Sequence, residues 1–255
     1  MSFERESSLK GQEINFSREN RESSVRIVNE EKIGEGKFGI VFQIEADIAK
    51  GDATKRRSFV TKQFKPLDKP AQASRKAERS LQRYNLAKEA GLKVFPTYRL
   101  NKDKSMAIMT MGTRVGRQEE GGAPWILLAQ AEKSHTLQSL EQQLISKNDE
   151  SSVKELMTQL ITESRKAADN NVYVPADAYF LLVKDNQSKG HQFDYVIGDY
   201  DLITDDQEAN LHERNYERAL LFAKIVLKSN AEPDCDFEKV ADEVYEVAMQ
   251  DDKTR

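Results

Sequence analysis

Residues 33–42 read Ile33-Gly34-Glu35-Gly36-Lys37-Phe38-Gly39-Ile40-Val41-Phe42, with three glycines at the spacing G-x-G-x-x-G. Because glycine has no Cβ, the backbone N–H groups of such a turn can approach a phosphate closely. The same spacing occurs in dinucleotide-binding units, but there a helix follows the last glycine. Here Ile40, Val41 and Phe42 follow, and β-branched and aromatic residues favour a strand. The stretch therefore predicts a β-hairpin whose turn binds phosphate, with an ordinary hairpin as the alternative.

Composition excludes several classes of partner. The chain has 255 residues and a formal net charge of −4, whereas a surface for nucleic acid or anionic lipid would need a basic excess. No apolar run approaches the ~20 residues that span a bilayer. We expect no nucleic acid and no membrane span, and a small molecule or a protein as partner.

The single cysteine, Cys235, excludes an internal disulfide and a cysteine-based zinc site, which favours a cytoplasmic setting. The N-terminal residues lack the charged start and apolar core of a Sec signal. Residues 1–25 are rich in Ser, Glu, Arg and Asn, and such a segment buries too little apolar surface to offset the entropy of ordering. We predict a flexible N-terminal arm.

Lys62 lies in a strand-like run, residues 58–65, that alternates between two faces. The alternation places Lys62 on the same face as Val60 and Phe64. A lysine on an apolar inward face, soon after a glycine hairpin, is suited to hold an anionic group. A solvated lysine on an edge strand is the alternative reading.

The remaining pattern predicts a sheet followed by helices. Residues 26–112 contain five strand-like runs and one long helix: strands at 25–32, 39–46, 58–65, 94–100 and 105–112, and a helix at 71–90. Beyond residue 112, helical spacing occurs at 123–133, 135–147, 151–168, 210–228 and 237–249.

A β-rich hairpin between these helices ends in Asp199-Tyr200-Asp201. Carboxylates at the end of a buried strand are costly without a cation or hydrogen-bond donors nearby. Oxygen-ligated magnesium is the natural partner of such groups. Two aspartates that cap a turn are the alternative.

In this order of features the chain resembles the protein kinases over about residues 26–203. Gly34, Gly36 and Gly39 match the glycine-rich loop, and Val60-Thr61-Lys62 matches the motif V-A-I-K. Asp199-Tyr200 matches the first two residues of D-F-G, with Asp201 in place of the glycine. The resemblance implies an α+β, two-lobed fold with a five-stranded N-lobe and one long helix at 26–112, and a small, mainly helical C-lobe at 113–255.

The resemblance also implies ATP and Mg²⁺ as cofactors and a role for each motif residue. Lys62 would hold the phosphates, paired with Glu78 or, in another helix register, with Gln82. Asp199, with Asp201 as a second ligand, would hold Mg²⁺. The remaining nucleotide contacts would come from Gly34, Gly36, Lys37, Phe38, Gly39 and Val41 in the loop and from Met109 and Met111 at the hinge beside adenine.

The catalytic loop departs from the kinase pattern. Counting along the chain, the catalytic aspartate of the family falls at Pro175 and its asparagine at Phe180. Asp177, two positions later, is the candidate base for the substrate hydroxyl. A degenerate loop that binds nucleotide without transferring phosphate explains the same residues.

Three functions remain open at this stage. The first is γ-phosphoryl transfer to a protein hydroxyl. The second is a pseudokinase that binds nucleotide and acts as an interaction module, and the third is transfer of another group such as AMP. The chain has no A-P-E motif, and its short second lobe is similar to the compact kinase-like effectors that bacteria deliver into host cells, which often require a host activating protein.

Overall fold

The computed structural model describes residues 8–18, 21–35, 39–50, 53–65, 70–110, 125–130, 150–186 and 190–228, together with 239, 242, 243 and 246. These residues form a mixed α/β structure. It divides into two compact units, Met1–Gln82 with Phe95–Arg114, and Arg83–Val94 with Val115–Arg255. Over the described ranges, every helix is too short or too polar to cross a bilayer.

The first unit is built on a six-stranded antiparallel sheet with the order β1-β2-β3-β4-β6-β5. One helix, α1, begins in this unit, and the boundary between the units falls within it. The bounds are β1 Glu13–Arg18, β2 Arg21–Glu35, β3 Gly39–Lys50, β4 Ala53–Phe64, α1 Pro70–Glu89, β5 Thr97–Leu100 and β6 Met106–Thr110.

The sheet closes on itself where β1 meets the end of β5. Phe16 forms an antiparallel bridge with Asn101, and the backbone N–H of Lys102 donates to the carbonyl of Asn15 at 3.1 Å. These two contacts curl the sheet into a partly closed, barrel-like form, called the barrel below, and pair a few of the backbone groups at its edges. The interior holds an apolar cluster, formed by Leu9, Ile14, Phe16, Val25, Ile27, Ile40, Phe42, Ile44, Ala46, Phe59, Met106 and Ile108.

A row of alternating charges crosses four neighbouring strands. Glu13 pairs in register with Arg26, Arg26 with Asp47, and Asp47 with Arg56. The Arg56 guanidinium donates to both carboxylate oxygens of Asp47, at 2.9 and 3.2 Å, and this hydrogen bonding lowers the pKa of Asp47. Opposite charges on facing residues favour this register, and like charges would oppose it.

The predicted flexible arm at 1–25 is wrong for the described part of that segment. Residues 13–18 and 21–25 are strands of the barrel, so the sheet has six strands where five were predicted. Leu9, Ile14, Phe16 and Val25 are buried. The apolar residues of this segment are few and stand among polar ones, so its composition suggested disorder. A strand needs an apolar residue only at every second position to bury one face. The first unit comprises Met1–Gln82 and Phe95–Arg114, and the lobe boundaries at 26, 112 and 113 stay predictions.

The second unit combines helices with short sheets. β7, β9 and β10 form a three-stranded antiparallel sheet in the order β10-β9-β7, and β8 pairs with β11. The bounds are β7 Trp125–Gln130, α2 Glu150–Asp169, β8 Val172–Tyr173, β9 Tyr179–Asn186, β10 Gly190–Ile197, β11 Thr204–Asp205 and α3 Leu211–Lys228.

The helices predicted at 71–90, 151–168 and 210–228 are confirmed to within one residue as α1, α2 and α3. The helix predicted at 123–133 is wrong, because β7 occupies residues 125–130 and pairs with β9. A short apolar run fits a buried strand as well as a helix, and periodicity cannot separate the two. The described part of this unit is therefore less helical than predicted.

Truncation of Phe16 tests whether β1 belongs to the barrel core. Phe16 is only 2% exposed, so Phe16→Ala should lower the free energy of unfolding by about 3–5 kcal/mol. Urea denaturation followed by circular dichroism measures the change. Asn15→Ala, at an exposed position of the same strand, should change it by less than about 0.5 kcal/mol. Equal, small effects for both variants would mean that β1 is an arm without a core role.

Candidate functional site

The glycine stretch forms the predicted hairpin. β2 and β3 pair antiparallel, with Gly34 opposite Val41 and Glu35 opposite Ile40. A strand therefore follows the last glycine, as predicted, and not the helix of a dinucleotide-binding unit. The predicted nucleotide contacts Gly36, Lys37 and Phe38 lie outside the described residues.

Gly39 stands where a side chain has no room. An ideal Cβ at this position would lie 2.5 Å from the carbonyl oxygen of Gln63 and 3.3 Å from Cγ of Lys62. The backbone carbonyl of a paired strand cannot move without disturbing the strand pairing, so only glycine fits at this position. The absence of a side chain brings the start of β3 against the stem of Lys62.

Lys62 is buried on one face of β4 and is 8% exposed. It pairs with Val41 on one side and with Ala107 on the other, and its Nζ lies 5.8 Å from the centroid of the Phe64 ring. The predicted placement of Lys62 among apolar neighbours is thus present in the structure. A primary ammonium on such a surface is suited to bind an anion, because little water competes for it.

An ion-pair cluster lies at the base of the hairpin turn. The carboxylate of Glu35, one residue before Gly36, accepts from Lys32 Nζ at 2.5 Å and from Lys65 Nζ. Hydrogen bonding from Lys32, followed by that from Lys65, lowers the pKa of Glu35 to about 2. The carboxylate is therefore ionised at neutral pH and links the end of β2 to the residue that follows β4.

The first part of α1 contributes a different contact from the predicted one. Its Ser80 hydroxyl hydrogen-bonds to the Tyr98 hydroxyl at 2.7 Å in the interior. The predicted partner of Lys62, Glu78, forms an ion pair with Lys104 instead, and its side chain is 45% exposed. The alternative, Gln82, is also exposed. The sequence pattern predicted that Glu78 lies on the inner face of α1. In the structure the buried residues of this part of the helix are Ala73, Ala77 and Ser80.

Of the two methionines predicted to contact adenine, only Met109 lies among the described residues. Met109 is buried within β6, where it pairs with Val60 and with Tyr98. Met111 lies outside the described residues. The structure therefore places Met109 in the body of the sheet, and its proposed contact with adenine remains a prediction.

In the second unit, Asp199 begins a 3-10 turn, Tyr200–Leu202, directly after β10. The Tyr200 hydroxyl donates to the carbonyl of Ile197 at 2.8 Å, and both groups are buried. The backbone N–H of Gly198 donates to the carbonyl of Ala178 at 2.9 Å. The residues on both sides of Asp199 are thus fixed by hydrogen bonds.

The second part of α1 supports the same turn within this unit. The Arg83 guanidinium donates to the backbone carbonyl of Asp201, and the Tyr84 and Tyr200 rings pack edge to face with centroids 5.2 Å apart. Edge-to-face pairs of this kind are favourable beyond their buried area. Asp201 therefore holds the turn through its backbone, and its carboxylate is half-exposed.

Asp177 lies near the Asp199 turn. It occupies the short 3-10 helix Ala176–Ala178, which follows Pro175, and Ala178 accepts the hydrogen bond from Gly198. The structure therefore brings the segments of Asp177 and Asp199 together. Among the described residues, no group of three or more His, Cys, Asp or Glu side chains is arranged to hold a metal ion. A magnesium site at Asp199 and Asp201 would need further oxygen ligands such as phosphates.

Asn215 is a buried polar residue that belongs to none of the predicted motifs. Its side-chain oxygen accepts from the backbone N–H of Val174 at 3.0 Å, and its nitrogen donates to the carbonyl of Val172 at 2.7 Å. The amide thus ties α3 to the chain that leads into Pro175 and Asp177. Its signal in the sequence is a polar residue on the apolar stripe formed by Leu211, Ala219 and Phe222.

Replacement of Gly39 tests the close approach of β3 to β4. Gly39→Ala should lower the free energy of unfolding by about 1–3 kcal/mol, because the new Cβ overlaps the Gln63 carbonyl. Urea denaturation measures the change, and Glu45→Ala on an exposed part of β3 is the control. Stability of Gly39→Ala within about 0.5 kcal/mol of the native chain would show that β3 and β4 do not pack as described.

Replacement of Asn215 tests the link to the Asp177 segment. Asn215→Ala leaves a buried N–H and a buried carbonyl without partners, so the free energy of unfolding should fall by roughly 3 kcal/mol. Asn170→Ala is the matched control, since the Asn170 amide donates to the carbonyl of Lys166 at an exposed site. Thermal and urea denaturation of the two variants are compared. Equal losses would contradict a special role for Asn215.

No family model matches this chain, and no curated protein matches it. Comparison with solved structures gives 254 matching chains. One of them is the crystal structure of a kinase domain, with a TM-score of 0.46 and 8% sequence identity. The alignment covers 94% of this chain and 71% of that chain.

Proposed function

We propose that this chain has a protein-kinase-like fold, binds ATP with Mg²⁺, and transfers the γ-phosphoryl group to a hydroxyl of a protein substrate. The observation that carries the proposal is the packing of Gly39 against the stem of the buried Lys62. A glycine turn and an inward-facing lysine on adjacent strands are the two groups that kinases use to hold nucleotide phosphates.

The first unit supplies the groups for the phosphates. Gly34, paired with Val41 near the end of β2, and Gly39, at the start of β3, lie on either side of the hairpin turn. The backbone N–H groups of glycines can approach phosphate oxygens closely. Lys62 provides a positive charge on an apolar face, where its interaction with an anion is stronger than in water. Val41, half-buried beside Lys62, gives the nucleotide an apolar contact.

The second unit supplies the groups for the metal. Mg²⁺, when bound, would neutralise charge that develops on the transferred phosphoryl group. Asp199 suits this ion because it offers carboxylate oxygens from a turn whose backbone is already fixed, and Asp201 offers a second carboxylate two residues later. Positioning before the reaction lowers the cost of reaching the transition state.

Asp177 is the proposed base for the substrate hydroxyl. It is half-buried in the short helix after Pro175, in the segment that hydrogen-bonds to Gly198. The carboxylate would accept the proton of the attacking hydroxyl while Asp199 holds the metal. The position that the kinase pattern gives to asparagine is Phe180, so this chain would hold magnesium through the Asp199 turn without an asparagine ligand.

A specific observation favours a second candidate, a pseudokinase that binds nucleotide and acts as a protein-interaction module. Pro175 and Phe180 replace the base and the metal-binding asparagine of the kinase pattern, and neither side chain can do that chemistry. The phosphate-binding groups of the first unit are the same in both candidates. Transfer of AMP on the same scaffold is a further alternative.

The test compares transfer from γ-labelled and α-labelled ATP with Mg²⁺, alone and with cell extract. The native chain should transfer the γ-label to protein, and Lys62→Met, Asp177→Asn and Asp199→Asn should each reduce transfer by at least about a hundredfold. Asp205→Asn, an exposed aspartate of β11, is the control for charge loss and should leave transfer unchanged.

Two other outcomes would reject the leading proposal. Transfer of the α-label would mean that the chain moves AMP. No transfer, together with a rise in melting temperature on addition of Mg²⁺ and ATP, would support the pseudokinase. A requirement for extract would support the predicted host activating protein.

A further inference from the structure

A buried carboxylate in the second unit belongs to none of the predicted motifs. Glu163, on α2, is 7% exposed. It accepts a hydrogen bond from the backbone N–H of Lys93 and another from the hydroxyl of Tyr195 on β10. A carboxylate is costly to bury unless donors surround it, so these two contacts account for its place in the interior.

The two segments held by Glu163 are also bonded to each other. The carbonyl of Lys93 accepts from the N–H of Ile197 at 2.8 Å, and Val94 forms a parallel bridge with Ile197. Ile197 is two residues before Asp199. Thus one carboxylate on α2 fixes the backbone segment from which the Asp199 turn begins.

Several charged or titratable groups face this carboxylate. The Lys93 ammonium pairs with Asp194 and lies 5.1 Å from the centroid of the Tyr195 ring. Lys166, three residues along α2, donates to the carbonyl of Gly91. In the described part of the chain the Tyr179 hydroxyl is buried without a hydrogen-bond partner, and its ring packs against that of Tyr195 with centroids 6.0 Å apart.

The environment changes the acidity of these groups. Burial raises the pKa of Glu163, while the hydrogen bonds from Lys93 and Tyr195 and the charge of Lys166 act in the opposite direction. Burial also raises the pKa of Tyr179 and of Tyr195, so both phenols stay protonated at neutral pH. Glu163 is the carboxyl group of this cluster that lies buried beside the two phenols, and its pKa is raised.

We propose that Glu163 is a positioning residue, which sets the orientation of Asp199 through the backbone of Lys93 and Ile197 and makes that orientation depend on its own protonation. The ionised carboxylate accepts from both donors. The protonated carboxyl is a weaker acceptor and needs an acceptor for its own proton, so the Lys93 and Ile197 segments shift. The consequence for metal binding rests on the proposed function of Asp199, but the backbone response does not.

The backbone response is measured by nuclear magnetic resonance without nucleotide. In the ¹⁵N-labelled native chain, the amide resonances of Lys93, Ile197 and Asp199 should titrate together, with a midpoint above the ordinary pKa of 4.5 for glutamate. In Glu163→Gln, which keeps an oxygen acceptor but cannot ionise, this shared transition should disappear. Glu155→Gln, an exposed site on the same helix, should keep it.

Stability gives a second readout with a defined sign. Because the pKa of Glu163 is raised in the folded state, the folded chain holds this proton more tightly than the unfolded chain does. The free energy of unfolding should therefore fall as the pH rises from 4.5 through the folded-state pKa. The fall should be smaller in Glu163→Gln than in Glu155→Gln.

The outcomes separate this inference from the proposed function. If the three amides do not titrate together, or titrate equally in Glu163→Gln, the inference is wrong whether or not the chain is a kinase. If they do titrate together, the affinity for Mg²⁺ and ATP should change over the same pH range in the native chain and in Glu155→Gln, and this change should be absent in Glu163→Gln. A shared amide transition in a chain that shows no nucleotide binding would support the positioning role of Glu163 and reject the proposed function.

Discussion

The pairing register of β3 with β4 is the constraint on which the first unit depends. Because side chains alternate along a strand, a slip of one residue would exchange the two faces of β4. It would move Phe59 out of the apolar cluster and Lys62 away from the face that it shares with Val41. The charge pairs across β2, β3 and β4 and the closure between β1 and β5 both oppose such a slip. The same register brings Gly39 against Lys62, so the architecture of the barrel and the candidate phosphate site have one cause.

The second unit fixes its acidic residues by a different means. Short strands and 3-10 turns carry Asp177 and Asp199, and buried polar groups hold these segments from several sides. Asn215 reaches them from α3, and Glu163 from α2. These groups bond to the backbone near the aspartates, so they position the chain that carries Asp177 and Asp199.

The sequence predicted those features that depend on local pattern. The glycine hairpin, the inward Lys62 and the three long helices follow from alternation, glycine spacing and helical periodicity. The predictions failed where contacts between residues distant in sequence determine the structure. The few apolar residues of β1 are buried because β1 packs in the barrel, and residues 125–130 form a strand because they pair with β9. Glu78 forms an ion pair with Lys104, a contact that helical periodicity alone does not predict. The roles of Asp177, Asp199 and Asp201 stay predictions, since ligand binding is not a property of the backbone alone.

The central claim is that the face of the sheet with Gly39, Val41 and Lys62 binds the phosphates of ATP. Isothermal titration of Mg²⁺ and ATP into the native chain and two variants tests it most directly. Lys62→Met should weaken binding by at least about tenfold, while Lys55→Met, at an exposed position of the same strand, should leave it unchanged. Equal affinities for the native chain and Lys62→Met would contradict the account.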